Sequence, residues 1–320
     1  MRIVSFDELP EGSEPKAQLI DASVGWLLTD FGRLKEARRL GYPAADYYGV
    51  YAVEGGEVQS AVRVLRIPYT LASGSTETVS GICGVATRRE WSRRGLARAL
   101  LGEAHRREAA AGNRFSLLWM GFWNFSHTLY SSIGYADIYT PRLAMRRCDG
   151  PKPRSERQKY ELRPARKGDA ATIEELHAES TRGRVGFTPR PKSALLPLFA
   201  LGWVKPDAFR LILSGGEPVG YLQIQKGRGW VKSDEVVLTS RADPGEVASL
   251  LQREATPGWL LLQGTFVRDS SALLRRLGYL FTDYLYYGLM ARPLEGAPGD
   301  IKRKLGTDSR SFTCHFLDYF

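Results

Sequence analysis

Two stretches of the chain repeat one pattern at a long interval. LYSSIGYADIYTPRLAMRR at Leu129–Arg147 is echoed by LLRRLGYLFTDYLYYGLMAR at Leu273–Arg292. Gly134-Tyr135 returns as Gly278-Tyr279, an offset of 278 less 134, or 144, residues. A period that large signals duplicated domains rather than a stacked solenoid. At 320 residues the chain has room for two domains of ordinary size. Residues 148–158, CDGPKPRSERQ, are rich in proline and charge, lack an apolar period and read as a linker. The expected organisation is a first domain over 1–147, a linker over 148–158, a second domain over 159–292 and a tail over 293–320.

Each half reads in the same order. The first opens with a strand near Arg2–Phe6 and a helical region over Lys16–Arg39. A hairpin of Tyr47–Val53 and Gln59–Ile67 turns at Gly55-Gly56. A strand at Glu77–Ala86, a helix at Gly95–Ala111, a strand at Phe115–Gly121, a short helix at Phe125–Ile133 and two strands to Arg147 follow. The second half has a strand at Tyr160–Arg163, a helix at Ala170–Glu179 and a hairpin of Phe209–Leu213 and Val219–Gln225. A strand at Ser233–Leu238, a helix at Pro244–Glu254 and a strand at Trp259–Phe266 complete it. The expected class is α/β (α+β), with two tandem domains, each a mixed, largely antiparallel sheet flanked by helices.

Composition excludes more than it identifies. Hydrophobic residues at 43% and charged residues at 25% fit a globular chain. No apolar run approaches the ~20 residues of a membrane helix. The start, MRIVSFDELPEGSEP, lacks the basic patch and apolar core of a signal peptide, so a cytoplasmic protein without a membrane partner is expected. Cys83, Cys148 and Cys314 stand singly and the four histidines lie far apart, which suggests neither disulfides nor a metal site. A net charge of +10 permits nucleic-acid binding, but the arginines spread along the chain without a basic tail or nucleic-acid motif. The other reading of that charge is a basic surface around a polyanionic ligand.

The segment VSGICGVATRREWSRRGLARALL, residues 79–101, carries the chemistry. An apolar strand runs into a loop containing Arg93-Arg94-Gly95, and a helix begins at once. Leu96, Leu100, Ala104 and Glu108, with Ala97, Leu101 and Ala111 beside them, give that helix one apolar face. Arg98, His105 and Arg106 are placed on the other. A helix N-terminus offers unpaired N–H groups and the positive end of the dipole, a natural seat for phosphate. Gly95 lets the backbone approach it. Arginines here oppose the dipole by ~0.3–1 kcal/mol each unless an anion is bound. The bland alternative is a basic surface loop.

Ser92-Arg93-Arg94-Gly95-Leu96-Ala97 resembles the Arg/Gln-x-x-Gly-x-Gly/Ala signature of the GNAT superfamily of CoA-dependent N-acetyltransferases, with serine in the first position. Arg-Arg-Gly-Leu and the tandem arrangement are similar to the Eis-type aminoglycoside acetyltransferases. The 28 residues after Arg292 leave no room for the Eis type's third, sterol-carrier-like domain. The resemblance implies acetyl-CoA as co-substrate and no metal. It implies that the backbone of Val85, Ala86 and Thr87 pairs with the pantetheine arm, and that Arg93, Arg94, Gly95, Ala97 and Arg98 hold the pyrophosphate. Asn124 through Gly134-Tyr135 resembles the family's Asn…Tyr-x-x-x-Gly-Phe/Tyr stretch, with the asparagine one residue closer to the tyrosine than usual. This implies a pantetheine contact for Asn124 and the general-acid role for Tyr130, whose alternative is a packed aromatic.

Transfer to an amine requires an oxyanion site, a proton for the departing thiolate and a base for the amine. For the base there are three candidates: Glu77 on the strand before the loop, His127, and the terminal carboxylate of Phe320, the last implied by the Eis resemblance. The aromatic run SFTCHFLDYF is expected to dock on the protein. The second half lacks both features. It has Leu274 opposite Tyr130, and Asp243, Pro244 and Glu246 opposite the basic loop, so it is expected to be noncatalytic and to cover one face of the first domain. The expected function is acetyl transfer from acetyl-CoA to a primary amine of a small molecule or peptide, by direct attack in a ternary complex. The alternative is a catalytically inactive CoA-binding regulatory module.

Overall fold

The computed structural model describes residues 1–5, 8–12, 39, 47–121, 126–149, 159–190, 192–200, 202, 204–283, 287–296 and 299–313. The expected helical region over Lys16–Arg39 lies outside them, apart from Arg39, as do Asn124 and Phe320.

The first half runs β1 (Arg2–Ser5), β2 (Tyr47–Glu54), β3 (Glu57–Thr70), β4 (Thr76–Thr87), α1 (Leu96–Ala110), β5 (Phe115–Met120), α2 (Ser126–Ser132), β6 (Ala136–Tyr139) and β7 (Arg142–Cys148). The second runs β8 (Tyr160–Pro164), α3 (Ala170–Ser180), α4 (Leu195–Ala200), β9 (Phe209–Ser214), β10 (Glu217–Gly227) and β11 (Trp230–Leu238). It continues through α5 (Pro244–Ala255), β12 (Gly258–Leu262), α6 (Thr265–Asp269), α7 (Ser271–Arg276), β13 (Leu280–Asp283) and β14 (Gly288–Pro293), with α8 (Ile301–Leu305) in the tail. The strand expected over Trp259–Phe266 ends at Leu262, because Gly264 at φ 84 leaves the extended region and Thr265 opens α6. Both hairpins turn on paired glycines of positive φ, Gly55-Gly56 and Gly215-Gly216, as two-residue hairpin loops require.

The strands form two seven-stranded sheets, β1-β2-β3-β4-β5-β14-β6 and β13-β7-β12-β11-β10-β9-β8. Among the strands of the described residues only β4–β5 and β11–β12 pair in parallel, so both sheets are mixed and largely antiparallel. Each sheet takes a strand from the other half of the chain. β14 pairs with β5 from Gly288↔Met120 to Pro293↔Phe115, and β7 pairs with β12 from Gly258↔Cys148 to Leu262↔Ala144. The linear division at 148–158 therefore does not separate the sheets. The two echoed segments end in strands, RLAMRR and GLMARP, and each fills a gap in the sheet of the other half. An unfilled gap would leave rows of N–H and C=O groups without partners.

The layers follow from strand alternation. One face of the first sheet, with Val50, Val62, Val64, Leu118 and Met290, packs on Leu96, Leu100 and Leu101 of α1. One face of the second, with Leu222, Val236, Leu260 and Leu262, packs on Val247 and Leu251 of α5. The remaining faces share a third core, where Leu65, Ile67, Leu117 and Trp119 meet Leu211, Tyr221, Ile173 and Leu176. The second half thus covers the inner face of the first sheet. Among the described residues no helix is long and apolar enough to cross a membrane.

A chain cut to residues 1–150 lacks β14, which stands between β5 and β6. It is expected to show no cooperative thermal transition by circular dichroism, whereas the full chain melts as one unit. A folded, sharply melting fragment would contradict the exchange.

Candidate active site at the start of the first helix

The site is built where β4 and β5 part. Among the described residues these strands pair only at Ser80↔Ser116 and Gly81↔Leu117. Beyond Gly81, β4 kinks. Its register with β3 shifts between Ala61 and Arg63, and Gly84 sits at φ 57 with the buried Arg63 Nε only 3.3 Å from where a Cβ would stand. The bulge turns Val85, Ala86 and Thr87 away from β5 and leaves a wedge in which an extended group can pair with the strand. The second half closes the equivalent wedge. β11 and β12 pair over four positions, Trp230↔Trp259 to Ser233↔Leu262, and the Gln263 N–H donates to the Ser233 carbonyl at 3.1 Å.

Downstream of the wedge, Arg93 at φ 62 and Gly95 at φ 78 wind the loop into α1. Gly95 caps the 15-residue helix without a side-chain bond, and the first turn holds no acid. Arg93, Arg94, Gly95 and Arg98 are exposed, and Ala97 is half-buried. The Arg94 guanidinium lies 4.5 Å over the Trp91 ring, while Arg98 Nη2 donates to Ser132 Oγ at 2.8 Å, tying α1 to α2. This N-terminus is open, cationic and stripped of Cβ at its closest point, so it fits a pyrophosphate. In the second half the Asp243 carboxylate accepts from the Glu246 N–H at 2.8 Å and fills the corresponding position at α5. A second anion there would meet its charge.

Tyr130 projects from α2 into the core beside this wedge and is 8% exposed. Burial raises its hydroxyl above the ordinary value, and Cys83 on β4 adds to the rise. Its ring meets that of Tyr135 edge-on at 5.8 Å. A phenol raised in this way stays protonated throughout the neutral range.

The other candidates separate. Glu77 stands at the far end of β4, upstream of the last pair with β5, and is ion-paired to Arg114 at 2.6 Å. Cys83 lies six residue steps further along the strand, about 20 Å, so Glu77 is not brought to the wedge. His127 is half-buried and bonded to Asp137 at 3.0 Å. Asn124 and Phe320 lie outside the described residues. Of the aromatic run in the tail, Ser311–Thr313 lie among the described residues. Phe312 is buried in the shared core 4.7 Å from Tyr139, and Tyr139 meets Trp119 of β5 at 6.4 Å. His105, assigned by the helical pattern to the solvent face, is buried. It lies four residues beyond Leu101, which places it on the same face as that core residue. Its Nε2 bonds the Tyr135 hydroxyl at 2.8 Å, and that hydroxyl lies 2.6 Å from Ser116 Oγ. Among the described residues no group of His, Cys, Asp or Glu could hold a metal.

Residues 16–138 match the acetyltransferase (GNAT) domain family. No curated protein matches the sequence. The fold is similar to a GCN5-related N-acetyltransferase from Anabaena variabilis at a TM-score of 0.66 and 14% identity, covering 92% of this chain and 73% of that one. It is similar to Eis1 from Mycobacterium abscessus at 0.53 and 14%, covering 83% and 72%. It is also similar to a tandem GNAT protein from the clavulanic acid biosynthesis pathway at 0.50 and 12%, covering 92% and 100%.

Small changes at the two helix starts carry similar stability costs from different causes. Gly95→Ala meets no neighbouring atom within 4 Å, yet the positive φ costs about 1 kcal/mol in thermal or urea melts. Asp243→Ala costs about 1 kcal/mol by loss of the cap and leaves coenzyme A affinity untouched.

Proposed function

We propose that the chain, whose residues 16–138 match the acetyltransferase (GNAT) domain family, is an acyltransferase that moves an acetyl group from acetyl-CoA to a primary amine by direct attack in a ternary complex. The observation that carries this reading is the pairing of an open, acid-free helix start at Gly95 with a wedge between β4 and β5 that ends beside Tyr130. When bound, acetyl-CoA supplies an activated acyl group as a thioester.

This chain's residues divide the remaining work. The N–H groups after Gly95, with Arg93, Arg94 and Arg98, hold the pyrophosphate, and Ala97 keeps the helix surface small beside it. The backbone of Val85, Ala86 and Thr87 pairs with the pantetheine arm, and N–H groups of the splayed strand donate toward a developing oxyanion, each worth ~3–4 kcal/mol in comparable sites. Tyr130 donates a hydrogen bond to the departing sulfur. A thiolate of pKa near ~8.5 takes a full proton from a raised phenol only uphill, so its gain lies in charge stabilisation and in solvent-assisted protonation. The second half has neither an open helix start nor a wedge and acts as a wall of the acceptor cleft.

Release of thiol from acetyl-CoA against a panel of amines, including an aminoglycoside, tests the reading, and amine-dependent release is expected. Tyr130→Phe is expected to lower kcat about 10²-fold and leave the acetyl-CoA KM within twofold. A purified chain that binds coenzyme A but releases no thiol with any amine would favour the inactive binding module instead.

A further inference from the structure

His105 on α1 and Arg292 on the exchanged strand β14 come from different halves of the chain and meet in one network. Arg292 Nη1 donates to His105 Nδ1 at 3.2 Å and to the Ile133 carbonyl at 2.6 Å. One nitrogen with two protons serves both acceptors. A guanidinium only donates, so Nδ1 must accept and the His105 proton resides on Nε2. That N–H then donates to the Tyr135 hydroxyl, which shares a further hydrogen bond with Ser116 Oγ at 2.6 Å. Burial, with Arg292 adding to it, pushes the His105 pKa down to about 3, in keeping with a neutral ring. The order of donors is fixed from Arg292 through His105 to Tyr135.

The same network frames the catalytic helix. Ile133 directly follows the last residue of α2, where helix carbonyls lack intrahelical partners. Tyr135 donates its N–H to the Tyr130 carbonyl at 3.1 Å and presses its ring edge-on against the Tyr130 ring. Arg292 therefore grips the segment from Tyr130 to Tyr135 at two points, the Ile133 carbonyl directly and the Tyr135 hydroxyl through His105. The chain's own first half provides no substitute, because the strand between β5 and β6 comes from beyond residue 287.

We propose that Arg292 is a positioning residue for acyl transfer: carried in by the exchanged strand, it sets the Tyr130 hydroxyl through Ile133 and the His105–Tyr135 bond. The second half thus takes part in the chemistry of the first without a reactive group of its own. This rests on the acyltransferase reading above.

The test is a double-mutant cycle of Arg292→Met with Tyr130→Phe, read as kcat and acetyl-CoA KM on the full chain. Arg292→Met is expected to lower kcat roughly ten- to a hundredfold with KM nearly unchanged, and Arg292→Lys to restore part of the loss. With Tyr130→Phe already present, Arg292→Met should cost about twofold or less. An equal loss in both backgrounds, or an unchanged kcat in the single variant, overturns the proposal. A wild-type chain without turnover sinks the acyltransferase reading itself, a result seen before any variant is made. Should Arg292→Met fail to fold, Arg292→Lys and His105→Gln complete the same cycle. Nitrogen NMR of the histidines gives a readout independent of turnover. The His105 proton is expected on Nε2, and finding it on Nδ1 in the wild-type chain also overturns the proposal.

Discussion

The backbone hydrogen bonds between β14 and β5 hold the architecture together. They run over six residues, from Gly288↔Met120 to Pro293↔Phe115, and join positions far apart in the chain. Without them the first sheet ends at β5, and the short β6 has nothing to pair with. β5 is buried along its whole length, so its unpaired groups could not turn to water. Each such group costs about 1–3 kcal/mol when buried without a partner. The exchange is therefore an obligation of the sheet, and the shared core of Leu65, Leu117, Leu211 and Tyr221 follows from the approach it enforces.

Within that frame the two halves diverge at one kind of place, the start of the helix after the splayed strand. At α1 a positive-φ glycine leaves the N–H groups exposed, and arginines surround them. At α5 an aspartate accepts from the helix itself. A helix N-terminus can be satisfied either way, by an anion from outside or by a side chain from within. Strand pairing changes in step. β4 and β5 part after two pairs, whereas β11 and β12 stay together over four. The half that caps its own helix also closes its wedge.

Much of this was readable in the residues. The hairpins at Gly55-Gly56 and Gly215-Gly216, the helix after Gly95 and the cap at Asp243 follow from local rules, since turn and cap chemistry act over a few residues. The strand exchange was not readable, although the echo of Leu129–Arg147 in Leu273–Arg292 contained it. Sequence periodicity carries no record of which edge a strand joins. Glu77 shows the same limit. Its position on β4 was correct, but a strand has two ends, and only the pairing with β5 tells which of them faces the wedge. His105 was assigned to the wrong face because its polarity was weighed above its spacing from Leu101.

That histidine shows how a polar residue becomes part of a core. An imidazole buried with both nitrogens bonded loses little on leaving water, whereas one with an orphaned nitrogen would cost about as much as a missing hydrogen bond. Nε2 finds Tyr135 on its own half, but Nδ1 finds its donor only on β14. The sheet completes itself with a strand from the second half, and the buried polar chain uses an arginine on that same strand. Structural and polar satisfaction thus arrive together, on one six-residue segment. A second half with no open site of its own remains physically inseparable from the first for this reason.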